Sequence, residues 1–309
     1  MTLRSTLLTF RIQRFESTVV IGAAVLSVVV SAIVIGLWNA GGYGRCFTDD
    51  AFAQTTFCQA SSGVWLGRIA HGSLQIVPIF PVIAGLLVGG PIVAKELETG
   101  TARLAWSLGP SRLQWFAQRV LPLLVMAMLA GLAIGFTADA LTHLLSPSID
   151  LDATFVGFRA RGLLVGIETL MVASIALALG AILGRTVPTI VLSLVLVFAI
   201  GMAVDKVERE LLTNEAVIGD DFSFNDANLY IDSRLRMPDG TIVTWDQLNT
   251  LYPQYANGWD ETSGITNVTL YIPGERYHEV ERREAAALGG IALLFVGVAA
   301  VSVVRRRPR

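Results

Sequence analysis

Few side chains in this sequence could do covalent chemistry, and their placement argues against most of it. Asp139, His143 and Ser146 supply a carboxylate, an imidazole and a hydroxyl in one short stretch. By type they could be orienter, base and nucleophile. They lie at the outer edge of an apolar run, and no donors for an oxyanion accompany them, so no catalytic residue is assigned. Three His and two Cys leave little room for a metal cluster. A phosphate-cradling loop, G-x-x-x-x-G-K-(S/T), needs its lysine. The two lysines, Lys95 and Lys206, follow no such loop. The chain therefore has no ATP-binding motif, and no cofactor of its own is expected. Its net charge of -2 gives no electrostatic reason for a nucleic-acid partner.

What remains is a concentration of charge in the stretch "VAKELETGTARLAWSLGPSRLQW", Val93 to Trp115. Lys95, Glu96 and Glu98 follow an apolar run, and Gly100 breaks the helix. Thr101 is a suitable N-cap for a short helix from Ala102 to Leu108. Glu96 and Glu98 precede that helix, where negative charge favours an N-terminus. Gly109-Pro110 ends it, since Pro disfavours helix at the residue before. Ser111 can cap the next helix, which carries Arg112 and Trp115. Leu104 and Leu108, at i and i+4 with Trp106 alongside, would give the short helix an apolar face suited to a groove on a partner. A plain hairpin between two helices would look similar.

These residues sit in a chain that is 53% hydrophobic and 16% charged, with a mean hydropathy of +0.60. A soluble domain carries about a quarter charged residues, so the composition points to a membrane. Six apolar runs approach the roughly 20 residues needed to cross a bilayer: 17–38, 69–94, 120–138, 162–184, 187–204 and 285–304. An even number puts both termini on one side. Placing the N-terminus in the cytoplasm gathers twelve of the twenty-three Lys and Arg residues into the short inner segments, as the positive-inside rule requires. Arg159, Arg161, Arg282 and Arg283, near outer helix ends, weaken that bias.

Residues 1–16 alternate apolar and basic side chains at helical spacing, which suits an interfacial helix. Residues 17–204 hold spans 1–5, with the polar stretch at about 95–112 between spans 2 and 3. Residues 205–284 form a long acidic loop with sixteen Asp or Glu against seven Lys or Arg, long enough to be a small domain. Within it "RLRMPDGTIVTW" reads as strand, turn, strand, and "NEAVIGDDFSFNDAN" as turns throughout. "GERYHEVERREAAALGG" reads as a helix running into span 6, and 285–309 is that span with a basic tail. The fold expected is an all-α membrane protein with a small α+β extracellular insertion between spans 5 and 6.

Inside the spans, Glu168 is the one charge. Burying it costs about 2.5–3.5 kcal/mol on insertion scales, so it should have a partner or face water. It could lie in a translocation path, or pair with Arg161 about two turns away on the same helix face. Gln75 and Phe80, near the kink-forming Pro78 and Pro81, are further candidates for such a path, with core packing as the alternative.

"GGPIVAKELETGTARLAWSLGPSRLQWFAQRVLPLL" resembles the ABC-2 type transporter permease family, particularly its actinobacterial members. The resemblance rests on Gly90, Pro91, Glu96, Glu98, Gly100, Thr101, Trp106, Ser111 and Arg112. "ALALGAILGRTVPTIVLSLVL", with Gly180, Gly184, Arg185 and Pro188, is similar to that family's turn between spans 4 and 5. "YIPGERYHEVERREAA" and the arginine tail are similar to its C-terminal end, although "VERREAA" is more polar than the family's approach to the membrane. The resemblance implies an N-terminal elbow helix, six spans, and a coupling helix between spans 2 and 3. It implies that Glu96, Glu98, Gly100, Thr101, Leu104, Trp106, Leu108 and Arg112 couple the chain to an ATPase. Two such subunits, as a homodimer, would pair with two ATP-binding subunits that hold the ATP and Mg. The expected function is a permease subunit in a bacterial plasma membrane that exports a small amphipathic compound such as a drug, antibiotic or short peptide. The alternative is a membrane subunit that passes ATPase-driven motion to an extracellular sensor or assembly factor.

The first outer loop holds the two cysteines, Cys46 and Cys58, with eleven residues between them. An external Cys pair suggests a disulfide, which would stabilise by about 3 kcal/mol in the chain-entropy model. Both are expected to resist a maleimide probe until a reductant is added. Immediate labelling of both would exclude the bond.

Overall fold

The computed structural model describes residues 13–43, 61–107, 111–219, 227–253 and 264–306. Cys46, Cys58 and the 1–12 part of the expected elbow helix lie outside the described residues. Helix α1 is Arg14–Gly41 and α2 is Ser61–Ile76. A single 3-10 turn, Val77–Ile79, joins α2 to α3, Phe80–Glu98. This is where Pro78 and Pro81 remove backbone donors. The short α4 is Thr101–Ser107, followed by α5 (Arg112–Leu145), α6 (Gly162–Leu183) and α7 (Thr186–Glu215). The last helix, α9, is Tyr277–Arg305, so the sequence from 277 does run as one helix into span 6. Counting α2 with α3 as one span, six helical segments are long and apolar enough to cross a membrane.

The chain forms two compact units. The first comprises 1–148, 157–200 and 281–309. Its centre is α6, with 72% of its apolar window buried, against 17% for α7 and 22% for the segment containing α9. Helices find no hydrophobic drive to associate inside lipid, so close van der Waals packing must hold them. Glycine provides it here. A Cβ on Gly89 of α3 would stand 2.1 Å from the Ala173 carbonyl oxygen of α6. A Cβ on Gly135 of α5 would stand 2.1 Å from the Gly162 carbonyl oxygen at the start of α6. Around these contacts pack Val88, Ile92, Leu123, Ala127, Val165, Ala173 and Leu177, all buried.

The second unit comprises 149–156 and 201–280. It holds strands β1 (Val217–Gly219), β2 (Leu229–Arg236), β3 (Ile242–Val243) and β4 (Thr266–Ile272) in an antiparallel sheet ordered β1-β4-β2-β3. The Pro238-Asp239-Gly240 turn joins β2 to β3, with Gly240 at φ 82. Hydrogen bonds from the Thr241 hydroxyl and amide hold the Asp239 carboxyl below its ordinary range. Helix α8, Trp245–Leu251, starts with a capping box between Thr244 and Gln247. Leu235, Met237, Val243, Leu248 and Ile265 form the core of this unit. The segment expected to be turns throughout contains β1. Its partner, β4, lies some fifty residues later, and a three-residue strand carries no alternation by which to recognise it. The loop before α6 also contributes. Phe155 N–H donates to the Ala227 carbonyl at 3.0 Å, and a Cβ on Gly274 would stand 2.0 Å from the Ala153 carbonyl oxygen.

Replacing Gly89 by Val forces α3 from α6 and is expected to cost about 1–3 kcal/mol or more. Gly297 has open space where a Cβ would go, so Gly297→Ala should be neutral or slightly stabilising. Thermal unfolding in detergent checks the pair. Equal midpoints would show that the α3–α6 contact does not hold the unit.

Candidate functional site: the polar end of the helical unit

The site begins where α3 stops. Thr99 N–H bonds the Lys95 carbonyl at 3.0 Å, and its hydroxyl donates to the same carbonyl at 2.8 Å. Gly100 then takes φ 74, a left-handed conformation that glycine adopts without a Cβ penalty. The chain reverses there and α4 begins. Thr101 was expected as the cap of this helix. It is instead the first helical residue, and its hydroxyl donates back to the Glu96 carbonyl at 3.3 Å. The turn at Gly100 is too tight to leave a separate cap position. Ser111 does cap α5 as expected, accepting from Gln114 N–H at 3.3 Å.

Helix α4 turns Ala102, Ala105 and Trp106 toward the core of the first unit. The Trp106 ring meets Trp115 edge to face, with centroids 5.6 Å apart. The Arg112 guanidinium lies 5.0 Å from the Trp106 centroid, within cation–π range. Trp106 is thus an internal contact that seats α4 against α5. The side chain of Leu104, and Leu108 altogether, lie outside the described residues, so the apolar docking face expected of them is not described.

The charged groups are spent on other helices. Lys95 faces Glu16 of α1 at 3.9 Å, and Glu96 faces Arg119 of α5 at 3.5 Å. Glu98 was expected to favour the N-terminus of the short helix. It accepts from the amide and hydroxyl of Thr186, at 3.0 and 2.9 Å. Thr186 is the first residue of α7, so the carboxylate satisfies an orphan donor at the positive end of that helix. Arg112 donates to the carbonyls of Val304, at 3.1 Å, and of Arg306. These oxygens end α9, where positive charge is favoured. Arg306 in turn donates to the Ala181 carbonyl at 2.8 Å, in the last turn of α6. Each exposed charge–helix-end interaction is worth about 0.3–1 kcal/mol. Together with the two ion pairs they fasten the end of α3 to α1, α5 and α7, the start of α5 to α9, and the end of α9 to α6.

Glu96, Glu98, Gly100, Thr101, Trp106 and Arg112 are therefore brought together. The path candidates are elsewhere. Glu168 is half-buried on α6, sixteen residues from Gly184, or about 24 Å at helical rise. Its suggested partner Arg161 is buried and bonded to Asp139 at 3.3 Å. Arg159 pairs with the buried Glu284. Gln75 is exposed on α2, and Phe80 packs against the core of the unit. Sequence reading missed Arg119, Thr186 and Arg306. Only Thr186 left a usable signal, because a helix starting right after "LGR" needs an acceptor for its first amides.

If Glu98 caps α7, Glu98→Ala and Thr186→Val should each destabilise the protein. The double variant should lose less than the sum of the two single variants. Unfolding in detergent micelles measures the cycle, and strict additivity would show that the contact carries no energy.

The sequence matches the family described as ABC-2 membrane transporter related over residues 17–209. That range covers well over half the chain and includes α1 through most of α7. No curated protein and no solved structure is similar enough to match it. The matched range contains five of the six apolar spans together with α4 and the ties of the preceding α3 residues Glu96 and Glu98 to α5 and α7. This chain belongs to the ABC-2 membrane transporter related family, as a multi-pass permease-type membrane subunit.

Proposed function

We propose that the chain is the membrane-spanning permease subunit of an ATP-driven exporter of a small amphipathic compound, such as a drug, antibiotic or short peptide. The observation that carries this reading is the fastening of α4. A seven-residue helix that merely joined two spans would need no polar ties at its flanks, such as those of Lys95, Glu96 and Glu98 of α3 to α1, α5 and α7 and that of Arg112 of α5 to α9. A helix that receives force needs them, because force applied to a free loop would be lost in bending the loop.

In this reading ATP and Mg are bound by a separate ATP-binding subunit, since the chain has no phosphate-binding loop. Two copies of each subunit assemble around a homodimer of this chain. The membrane is the bacterial plasma membrane with both termini in the cytoplasm, which follows the Lys and Arg bias. Gly100, Thr101, Leu104 and Leu108 are proposed as the surface the ATPase pushes on, with Trp106 seating that surface against α5. Glu168, Phe80 and Gln75 are the residues proposed to meet the compound. The nearly uncharged spans suit a substrate that partitions into the membrane.

A second reading keeps the motor and changes the load, with motion passed to an extracellular sensor or assembly factor. It is favoured by the size of the acidic second unit and by α7 and α9, each of which contributes to both units.

The test is to purify the full chain with candidate ATP-binding subunits. The ATPase activity is then compared with that of a variant in which 100–107 is replaced by a flexible Gly/Ser segment of equal length. The expected result is stable co-purification with intact α4 and loss of stimulated hydrolysis without it. A folded six-span chain that retains no ATPase refutes both readings. Removing the middle of 205–284 separates them, because retained export excludes the docking reading.

A further inference from the structure

Arg112 lies where a motor contact is expected, and a basic residue there would suit an acidic groove. Its geometry is turned inward. One face of the guanidinium lies over Trp106 of α4. Its Nη1 donates to two carbonyls at the end of α9, those of Val304 and Arg306. A planar guanidinium can stack and donate at once, which a lysine ammonium cannot do. Arg306 then reaches the Ala181 carbonyl and lies over Gly184, where a Cβ would stand 2.6 Å from its Nη2. Gly184 has φ 65, so glycine at that turn both makes the bend and leaves room for the arginine.

The packing of α9 within the first unit makes this tie consequential. Gly289, Gly290 and Gly297 have open space where a Cβ would go, and Leu293, Leu294, Val298, Val301 and Val304 are exposed. Only one stripe, including Ala292, Ala299 and Val303, is buried. The α3–α6 pair is locked by backbone contact along its length, whereas α9 is held by that stripe and by polar ties near its ends. These include Arg159 with Glu284, Arg306 with the Ala181 carbonyl, and Arg112 with the terminal carbonyls.

We infer that Arg112 is a positioning residue which clamps the C-terminal end of α9 to α4, so that displacement of α4 moves α9 with it. This rests on the proposed coupling role of α4, but the clamp itself can be measured without the motor. The basic tail then does more than set topology. Its first residues are part of the coupling element.

The experiment uses the full chain in lipid nanodiscs, with Cys46 and Cys58 replaced by Ser and spin labels at exposed positions 107 on α4 and 301 on α9. Distances are recorded by pulsed electron resonance for the chain alone and for the complex with its ATP-binding subunit, before and after nucleotide trapping. Arg112 is compared with Arg112→Gln, which keeps a polar donor but neither the charge nor the reach, and with Arg112→Lys, which keeps charge but not the fork. In the parent, one narrow distance should persist in every state. Arg112→Gln should broaden it in the chain alone and let it change on trapping, while the ATP-binding subunit still co-purifies. Arg112→Lys should fall between the two. An unchanged narrow distance in Arg112→Gln overturns the clamp. Loss of co-purification in Arg112→Gln with the distance intact makes Arg112 a motor contact and also overturns it. If no ATPase binds the parent, the proposed function fails, and broadening in the chain alone still decides the clamp.

Discussion

The contact of α6 with α3 and α5 at backbone distance underlies everything else in the helical unit. In a bilayer, apolar side chains gain little by leaving lipid for protein. Helices stay together where their backbones approach closely enough for dense dispersion contact. Gly85, Gly89, Gly131 and Gly135 permit that approach, with Ala173, Gly162 and Gly166 opposite them. The three helices form a stiff centre, and α1, α7 and α9 are arranged around it with broad exposed apolar faces.

A stiff centre with looser helices around it fixes where motion can occur. Helices α7 and α9 are held to the centre mainly by narrow buried stripes and by polar ties at their ends. Those ties have one physical form. A charged side chain from one segment satisfies the orphan donors or acceptors that end another helix: Glu98 at the start of α7, Arg112 at the end of α9, Arg306 at the end of α6. Helix ends leave backbone donors and acceptors that need partners. Using a neighbour's charge satisfies them and links the neighbours. The dense charge between spans 2 and 3 is explained by this internal duty.

Much of the fold was legible beforehand because membranes impose long, nearly uniform signals. Runs such as 120–138 and 162–184 need no context to be recognised as helices that can span. The proline-marked break before Phe80, the Pro-Asp-Gly turn and the Ser111 cap are local chemistry and were also legible. Strand β1 was not, since three residues with turn-like composition become a strand only because β4 offers its edge. The contribution of 149–156 to the second unit was hidden for the same reason, as it depends on Gly274 admitting a backbone from far along the chain.

The sequence by itself determined the number of apolar spans, the break at Gly100 and which residues gather in the polar stretch. These follow from composition and from backbone preferences within a few residues. Only the tertiary structure decided what each charge is for. Glu98 could have served the helix that follows it, and Arg112 could have faced a partner. Both instead reach helix ends 88 and 192 positions away. Sequence proximity sets which groups are available. Which unsatisfied backbone group a side chain finds is set by how the helices lie side by side, and no local pattern encodes that.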